Sequence, residues 1–79
     1  MTQQHKVREI FSGCLNIPLA DIQDELAYNS RPEWDSVAHM ALVARLDQAF
    51  NIMMETDDVI NLSSVAKAYE ILRKYGIDV

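Results

Sequence analysis

Apolar residues recur every three or four positions in four stretches of the chain, which is the spacing at which side chains share one face of a helix. In the first stretch these residues are Val7, Ile10, Phe11, Cys14 and Leu15. Thr2 is a candidate cap for this helix, and Pro18 ends it. No stretch has the period of two that a half-buried strand requires, so the chain is predicted to be all-α.

The longest helical pattern runs from Ser36 to Phe50 and predicts a central second helix. Asp35 and Ser36 both suit its start, because either side chain accepts hydrogen bonds from unpaired first-turn amides. The preceding residues 17–35 contain enough proline and asparagine to predict a long loop. Its apolar residues are expected to pin it onto the core, and they are Leu19, Ile22 and Leu26.

The last third of the chain predicts one short helix and one longer helix. Thr56 is a candidate cap for a short third helix that reaches about Ile60, and Ser63 or Ser64 caps a fourth helix that stops at Gly76. The inward residues of the fourth helix are Val65, Ala68, Tyr69, Leu72 and Tyr75. The prediction is a four-helix bundle in one domain, residues 1–79, with three longer helices, a short third helix and a long first loop.

Composition and charge narrow the classes of partner. Apolar residues make up 49% of the 79 residues and charged residues 24%, which is typical of one ordered globular domain. Residues 21–58 hold nine acids against two arginines, within a net charge of −5. This acidic centre disfavours nucleic acid and membrane surfaces and favours basic protein surfaces, although a solvated face that aids solubility is the simpler alternative.

The single cysteine, Cys14, allows no internal disulfide, so a cytoplasmic location is expected. The chain has no signal-peptide pattern at its start and no apolar run near the ~20 residues of a membrane span. Cys14 lies in an apolar stripe rather than an electropositive setting, so it is expected in the core rather than as a reactive thiol.

The sequence contains no residue pattern typical of a metal site and only a weak one for a catalytic site. His5 and His39 lie in different predicted helices, and the acidic stretch 55–58 lacks the ligand spacing of a calcium loop. Asp35, Ser36 and His39 lie within one helical turn, which allows a hydrolase to be considered. No glycine-rich elbow or oxyanion hole accompanies them, so the protein is predicted not to be an enzyme.

The sequence Trp34-Asp35-Ser36-Val37 at the head of the central helix resembles the Asp-Ser-Leu signature of the acyl carrier protein family. The helix that follows, residues 42–50, and the link at residues 60–65 are similar to the corresponding parts of that family. The resemblance implies an acyl-carrier-like fold in which Ser36 carries 4'-phosphopantetheine, derived from coenzyme A, and Asp35 helps position the donor. Acyl or aminoacyl intermediates would then travel as thioesters on this arm.

The resemblance also implies partners and their contact residues. The partners are a phosphopantetheinyl transferase and enzymes that load or transfer acyl or aminoacyl groups through basic docking surfaces, on a carrier that is itself a monomer. Besides the motif residue Val37, the docking candidates on the second and third helices are His39, Met40, Arg45, Asp47, Glu55, Asp57 and Asp58. Candidates for an acyl cleft, with ordinary core packing as the alternative, are Leu46, Ile60, Leu62 and Tyr69.

The chain departs from carriers of bacterial fatty acid synthesis around the motif. Residues 31–34 replace the usual glycine and small residue, and Asp47 is the only acid inside the second helix. This pattern indicates a specialised carrier, of a polyketide, hybrid peptide, modified saccharide or lipid pathway. The alternative from another class is an unmodified acidic protein-interaction module with the same fold.

Overall fold

Four α-helices form most of the regular structure in the computed structural model, which describes residues 3–79. They are α1 (Gln4–Leu15), α2 (Ser36–Phe50), α3 (Thr56–Asn61) and α4 (Val65–Lys74), with a 3-10 turn at Leu19–Asp21 between α1 and α2. Within the described range no strand forms, and a single isolated bridge joins Ala27 to Ser64. The prediction of an all-α protein with a short third helix is confirmed.

Side-chain caps settle where two of the helices begin. Asp35 has extended backbone angles, and its carboxylate accepts the Ala38 amide hydrogen at 2.9 Å, so Asp35 rather than Ser36 caps α2. Ser64 accepts the Lys67 amide hydrogen at 3.0 Å and caps α4.

The other two starts differ from what the sequence predicted. Thr56 is the first residue of α3 rather than its cap, because Glu55 takes that position and makes no side-chain bond there. Thr2, the predicted cap of α1, lies outside the described residues, and Gln3 precedes the helix without a side-chain bond.

Left-handed residues end three of the helices. Asn16 and Asn51 follow α1 and α2 with φ of 58° and 54°, and Gly76 follows α4 with φ of 86°. Asparagine and glycine reach this backbone region at low steric cost, and they allow the chain to turn while the last carbonyls of the helix are satisfied. The helix α1 therefore ends at Leu15, before Pro18 could interrupt it.

The core is one cluster to which every helix or its flanking loop contributes. Its largest fully buried side chain is Trp34, whose ring meets Phe11 of α1 edge-on at 5.4 Å between centroids. Burying a large apolar side chain stabilises the fold by about 1.5–3 kcal/mol relative to exposure. Cys14 packs half-buried against this cluster, and burial raises the pKa of its thiol, with Arg45 opposing the effect.

The long loop is held by both burial and backbone hydrogen bonds. Ile22 is buried and Leu26 packs against the core, but Leu19 is exposed, so the expectation that it pins the loop is wrong. Leu19 lies in the 3-10 turn, which directs it outward. Backbone bonds join the loop to the start of α4, from Val65 to Leu26 and from Tyr28 to Ser63. Among residues 3–79 no helix has the length and apolar character needed to cross a membrane.

One acid of α3 is buried in the packing between α3 and the end of α4. The side chain of Asp58 accepts hydrogen bonds from Lys74 at 2.5 Å and from the Tyr75 hydroxyl at 2.6 Å. The Tyr75 oxygen also accepts the Glu55 amide hydrogen at 2.9 Å. The bonds from Lys74 and Tyr75 hold the pKa of Asp58 below its ordinary value of 3.8. This carboxylate therefore anchors the short helix α3.

We expect Asp58→Asn to destabilise the fold at pH 7, because the substitution removes a charge that two donors share. The folded-state pKa is lowered, so the stabilisation is complete above the ordinary value of 3.8 and is lost as pH falls through the lower folded-state pKa. Urea unfolding at pH 7 and near pH 3 measures this, and the gap between variant and wild type should narrow at the lower pH.

The matched control is Asp57→Asn, because Asp57 is the exposed neighbour in the same helix turn. It should change the free energy of unfolding far less than Asp58→Asn at pH 7. Equal effects of the two variants would mean that the Asp58 contacts contribute nothing specific.

Candidate functional site

Ser36 is the first residue of α2, and its side chain is exposed to solvent. A helix leaves its first amide groups without intrahelical partners, and its dipole places partial positive charge there. Asp35 takes the Ala38 amide, and among the described residues the Ser36 hydroxyl has no hydrogen-bond partner. The hydroxyl is thus an accessible group that can be esterified, at the end of the helix that favours negative charge.

The exposure of Ser36 depends on Trp34, two residues earlier in the chain. The Trp34 ring is fully buried, and it meets Phe11 at 5.4 Å and Tyr28 at 6.1 Å, edge-on in both cases. Its backbone closes a turn, since Trp34 donates to the Arg31 carbonyl and accepts from the Asn29 amide.

The next three residues, 35–37, leave this anchored point and are all exposed. The buried indole therefore leaves the other three residues of the predicted motif on the surface, with the Ser36 hydroxyl exposed.

His39 does not lie free on the helix surface as a docking residue would. It is half-buried, the Trp34 indole N–H donates to its Nδ1 at 3.1 Å, and its Nε2 lies 2.8 Å from the Val59 carbonyl oxygen. Tyr28 meets the imidazole edge-on at 5.1 Å between centroids. Both of its ring nitrogens bind within the protein, so His39 offers no free nitrogen to a partner, and its docking role stays a prediction.

An apolar groove of about 330 Å³ opens beside Ser36, between α2 and α3. The residues that line it are Tyr28, Ser36, His39, Met40, Val59, Ile60, Leu62 and Ser63. Hydroxyl groups and one imidazole are its only polar side chains, and no carboxylate or ammonium group lines it. The groove can hold an uncharged, largely apolar group that is tethered close to the Ser36 hydroxyl.

The residues predicted for an acyl cleft do not form one set. Ile60 and Leu62 line the groove, whereas Leu46 and Tyr69 are buried in the core. Ile60 is 72% exposed, so it forms the rim rather than the interior. Burial raises the pKa of Tyr69, which fits a core position.

Sequence reasoning missed three residues of the groove. Tyr28, Val59 and Ser63 were assigned to no site, because each comes from a different segment and Ser63 was considered only as a helix cap and as part of the link at residues 60–65. The one available signal was Tyr28, a large aromatic residue in a polar part of the loop.

The remaining docking candidates divide between the surface and the interior. Met40 is 57% exposed, and Arg45, Glu55 and Asp57 are exposed as well. Asp47 is half-buried, and its carboxylate accepts the Met54 amide hydrogen at 3.1 Å.

Asp58 is only 4% exposed and is paired as described above, so it offers no free charge and its assignment to docking is corrected. The surface next to Ser36 is therefore largely apolar, formed by Val37, Met40 and Ile60, with the exposed Asp35 before it and further acids at the start of α3.

We expect Asp35→Ala to destabilise the fold by about 1 kcal/mol, because the Ala38 amide loses its cap. Asp35→Asn should retain most of the stability, since asparagine caps about as well as aspartate. Thermal or urea unfolding measures both variants. Ser64→Ala, which removes the cap of α4, serves as a control of similar size, and equal losses from the Ala and Asn variants at position 35 would contradict the capping role.

The described part of the chain contains no group of three or more His, Cys, Asp or Glu side chains placed to hold a metal ion. Comparison of the chain with models of known protein families and with curated protein sequences found no match. The likeness of residues 34–37 to a carrier motif therefore depends on the residues and their geometry alone.

Proposed function

We propose that this protein is an acyl carrier protein that bears a 4'-phosphopantetheine arm on Ser36. The observation that carries the proposal is the exposed Ser36 hydroxyl at the start of α2, directly beside an apolar groove. Three neighbouring features support the proposal: Trp34 is buried, Asp35 caps α2, and the Ser36 hydroxyl is exposed. Because Asp35 already caps the helix, the Ser36 hydroxyl is available for modification.

The position suits a phosphodiester on electrostatic grounds. A phosphate on Ser36 places its negative charge at a helix N-terminus, where free amides and the dipole favour anions. Asp35 caps the helix through Ala38 and leaves the amides of the first two helical residues unused by side chains. The same exposure lets a transferase bring coenzyme A to the hydroxyl.

The groove supports the carrier role because it lies within reach of a short arm. An apolar cargo on a flexible tether gains from contact with Met40, Ile60 and Leu62 whenever it leaves bulk water. The tether also holds the thioester at a high effective concentration near any enzyme that docks on the carrier. The carrier supplies attachment and presentation, and its partners supply the chemistry.

The hydrolase alternative loses its base in this geometry. In the hydrolase considered above, a nitrogen of His39 would have to take the Ser36 proton. The Nδ1 of His39 already accepts from Trp34, and its Nε2 is engaged with the Val59 carbonyl. His39 is thus committed to structure, which favours a non-catalytic role for Ser36.

The exposed residues around Ser36 suit partners that bind through apolar contacts as well as through charge. Val37, Met40 and Ile60 form an exposed apolar surface around Ser36, and Glu55 and Asp57 add negative charge at the start of α3. Methionine adapts to several partner surfaces. The proposed partners are a phosphopantetheinyl transferase and enzymes that load or transfer acyl or aminoacyl groups, in a specialised biosynthetic pathway.

We expect the apo protein to gain the mass of one phosphopantetheine arm when it is incubated with coenzyme A and a broad-specificity phosphopantetheinyl transferase. Ser36→Ala should abolish the gain completely, because the acceptor oxygen is removed. Intact-mass spectrometry measures both reactions.

The matched control is Ser63→Ala, because Ser63 is an exposed serine that lines the same groove but does not begin a helix. This variant should be modified like the wild type. No mass gain on the wild type with several transferases would defeat the proposal. An unmodified Ser36 in protein from the native host, with partner binding intact, would favour the acidic interaction module instead.

A further inference from the structure

His39 connects three segments that build the groove. It belongs to α2, it accepts a hydrogen bond from Trp34 in the long loop, and it contacts the backbone of Val59 in α3 at 2.8 Å. The imidazole also stacks on the Trp34 ring at 6.1 Å between centroids, with 22° between the ring planes. Loop, α2 and α3 therefore meet at one side chain.

The two hydrogen bonds require one protonation state of the imidazole. The indole N–H of Trp34 can only donate, so Nδ1 of His39 must present a lone pair. The carbonyl of Val59 can only accept, so Nε2 must carry the hydrogen. The neutral ring protonated at Nε2 satisfies both bonds, and the imidazolium and the other neutral tautomer do not.

We infer that His39 is a pH-sensitive latch that fixes α3 against α2 beside the groove when neutral and releases α3 when protonated. A proton added to Nδ1 sets an N–H against the Trp34 N–H, so this hydrogen bond is lost while the bond to Val59 remains possible. Trp34 is fully buried, so its indole N–H then lacks a partner in the interior, which is unfavourable. The imidazole must shift away from the indole N–H, and this shift also breaks its contact with Val59 of α3.

The ionisable groups near the imidazole do not account for the proposed pH response, so it depends on protonation of His39. Of the groove-lining side chains only Tyr28 and His39 can titrate, and a phenol stays uncharged in acid. In the loop, Glu33 is paired with Arg31, and Asp35 binds the Ala38 amide.

In α3 and α4, the nearby ionisable groups are also engaged elsewhere or exposed. Asp58 is held by Lys74 and Tyr75, and Asp57 is exposed at the start of α3. Within residues 3–79, no carboxylate is hydrogen-bonded to the imidazole. An imidazole changes charge between about pH 5 and 8, well above the range in which Asp58 titrates.

Release acts on α3, the shortest of the four helices. The helix α3 has six residues, and its anchors are the Asp58 cluster on one side and the His39 contact with Val59 on the other. Without the second anchor, Val59 and Ile60 are free to move away from α2. The groove would therefore keep the width seen here at neutral pH and widen at mildly acidic pH, whether or not Ser36 carries an arm.

The tautomer and the latch are tested by nitrogen-15 NMR of the protein as it exists. At pH 7.5 we expect His39 to show the neutral form protonated at Nε2. On lowering the pH to 5.5, the indole N–H resonance of Trp34, the only tryptophan, should shift, and its protection from solvent exchange relative to a free indole at the same pH should fall. Amide protection factors in α3, which correct the exchange rate for its intrinsic pH dependence, should fall about two- to tenfold, as expected for the loss of one hydrogen bond.

Matched variants separate the latch from general acid effects. His39→Asn places an amide oxygen near the position of Nδ1, and it should keep the Trp34 bond while losing the pH response. His5→Gln removes the other histidine, which is exposed beside Glu9, and should leave the response unchanged.

Three results would overturn the latch. They are a His39 ring protonated at Nδ1 at pH 7.5, a Trp34 resonance that does not move between pH 7.5 and 5.5, and a full response in His39→Asn. The first two measurements use the wild-type protein alone, so a variant that fails to fold does not weaken the test.

Discussion

Burial of the Trp34 indole is the constraint on which the rest of this structure depends. The ring fills the centre of the bundle against Phe11, and it fixes the end of the long loop. With that point inside, the chain must turn outward to begin α2, and the Asp35 cap sets the first turn. The exposed Ser36 hydroxyl is the direct consequence. A smaller residue at position 34 would leave the loop and the helix start without a common anchor.

The structure uses several of its charged and polar groups for cohesion rather than recognition. Asp58 holds α3 to α4, Asp47 supports the turn after α2, and His39 joins α2 to the loop and to α3. The surface beside Ser36 is left largely apolar, with a groove of about 330 Å³ next to it. A domain of this size buries little surface, so a single polar side chain can determine where a short helix lies.

Side chains with the same sequence pattern separate in three dimensions. Asp57 and Asp58 are adjacent acids in the first turn of a helix, yet one is exposed and the other is buried under Lys74 and Tyr75. Ile60 and Leu46 are both apolar helix residues, yet one forms the rim of the groove and the other lies in the core. Periodicity states which positions share a face, but not which neighbour that face meets.

The order and type of the helices followed from the sequence alone, because helical spacing, capping residues and chain breakers act over a few residues. The same local rules placed Ser36 at the start of α2. Only the tertiary structure decided that His39 binds Trp34 and Val59, that Asp58 is buried, and that Tyr28, Val59 and Ser63 join the groove. The physical reason is that each of these contacts joins segments distant in sequence, whose approach depends on how the whole core packs.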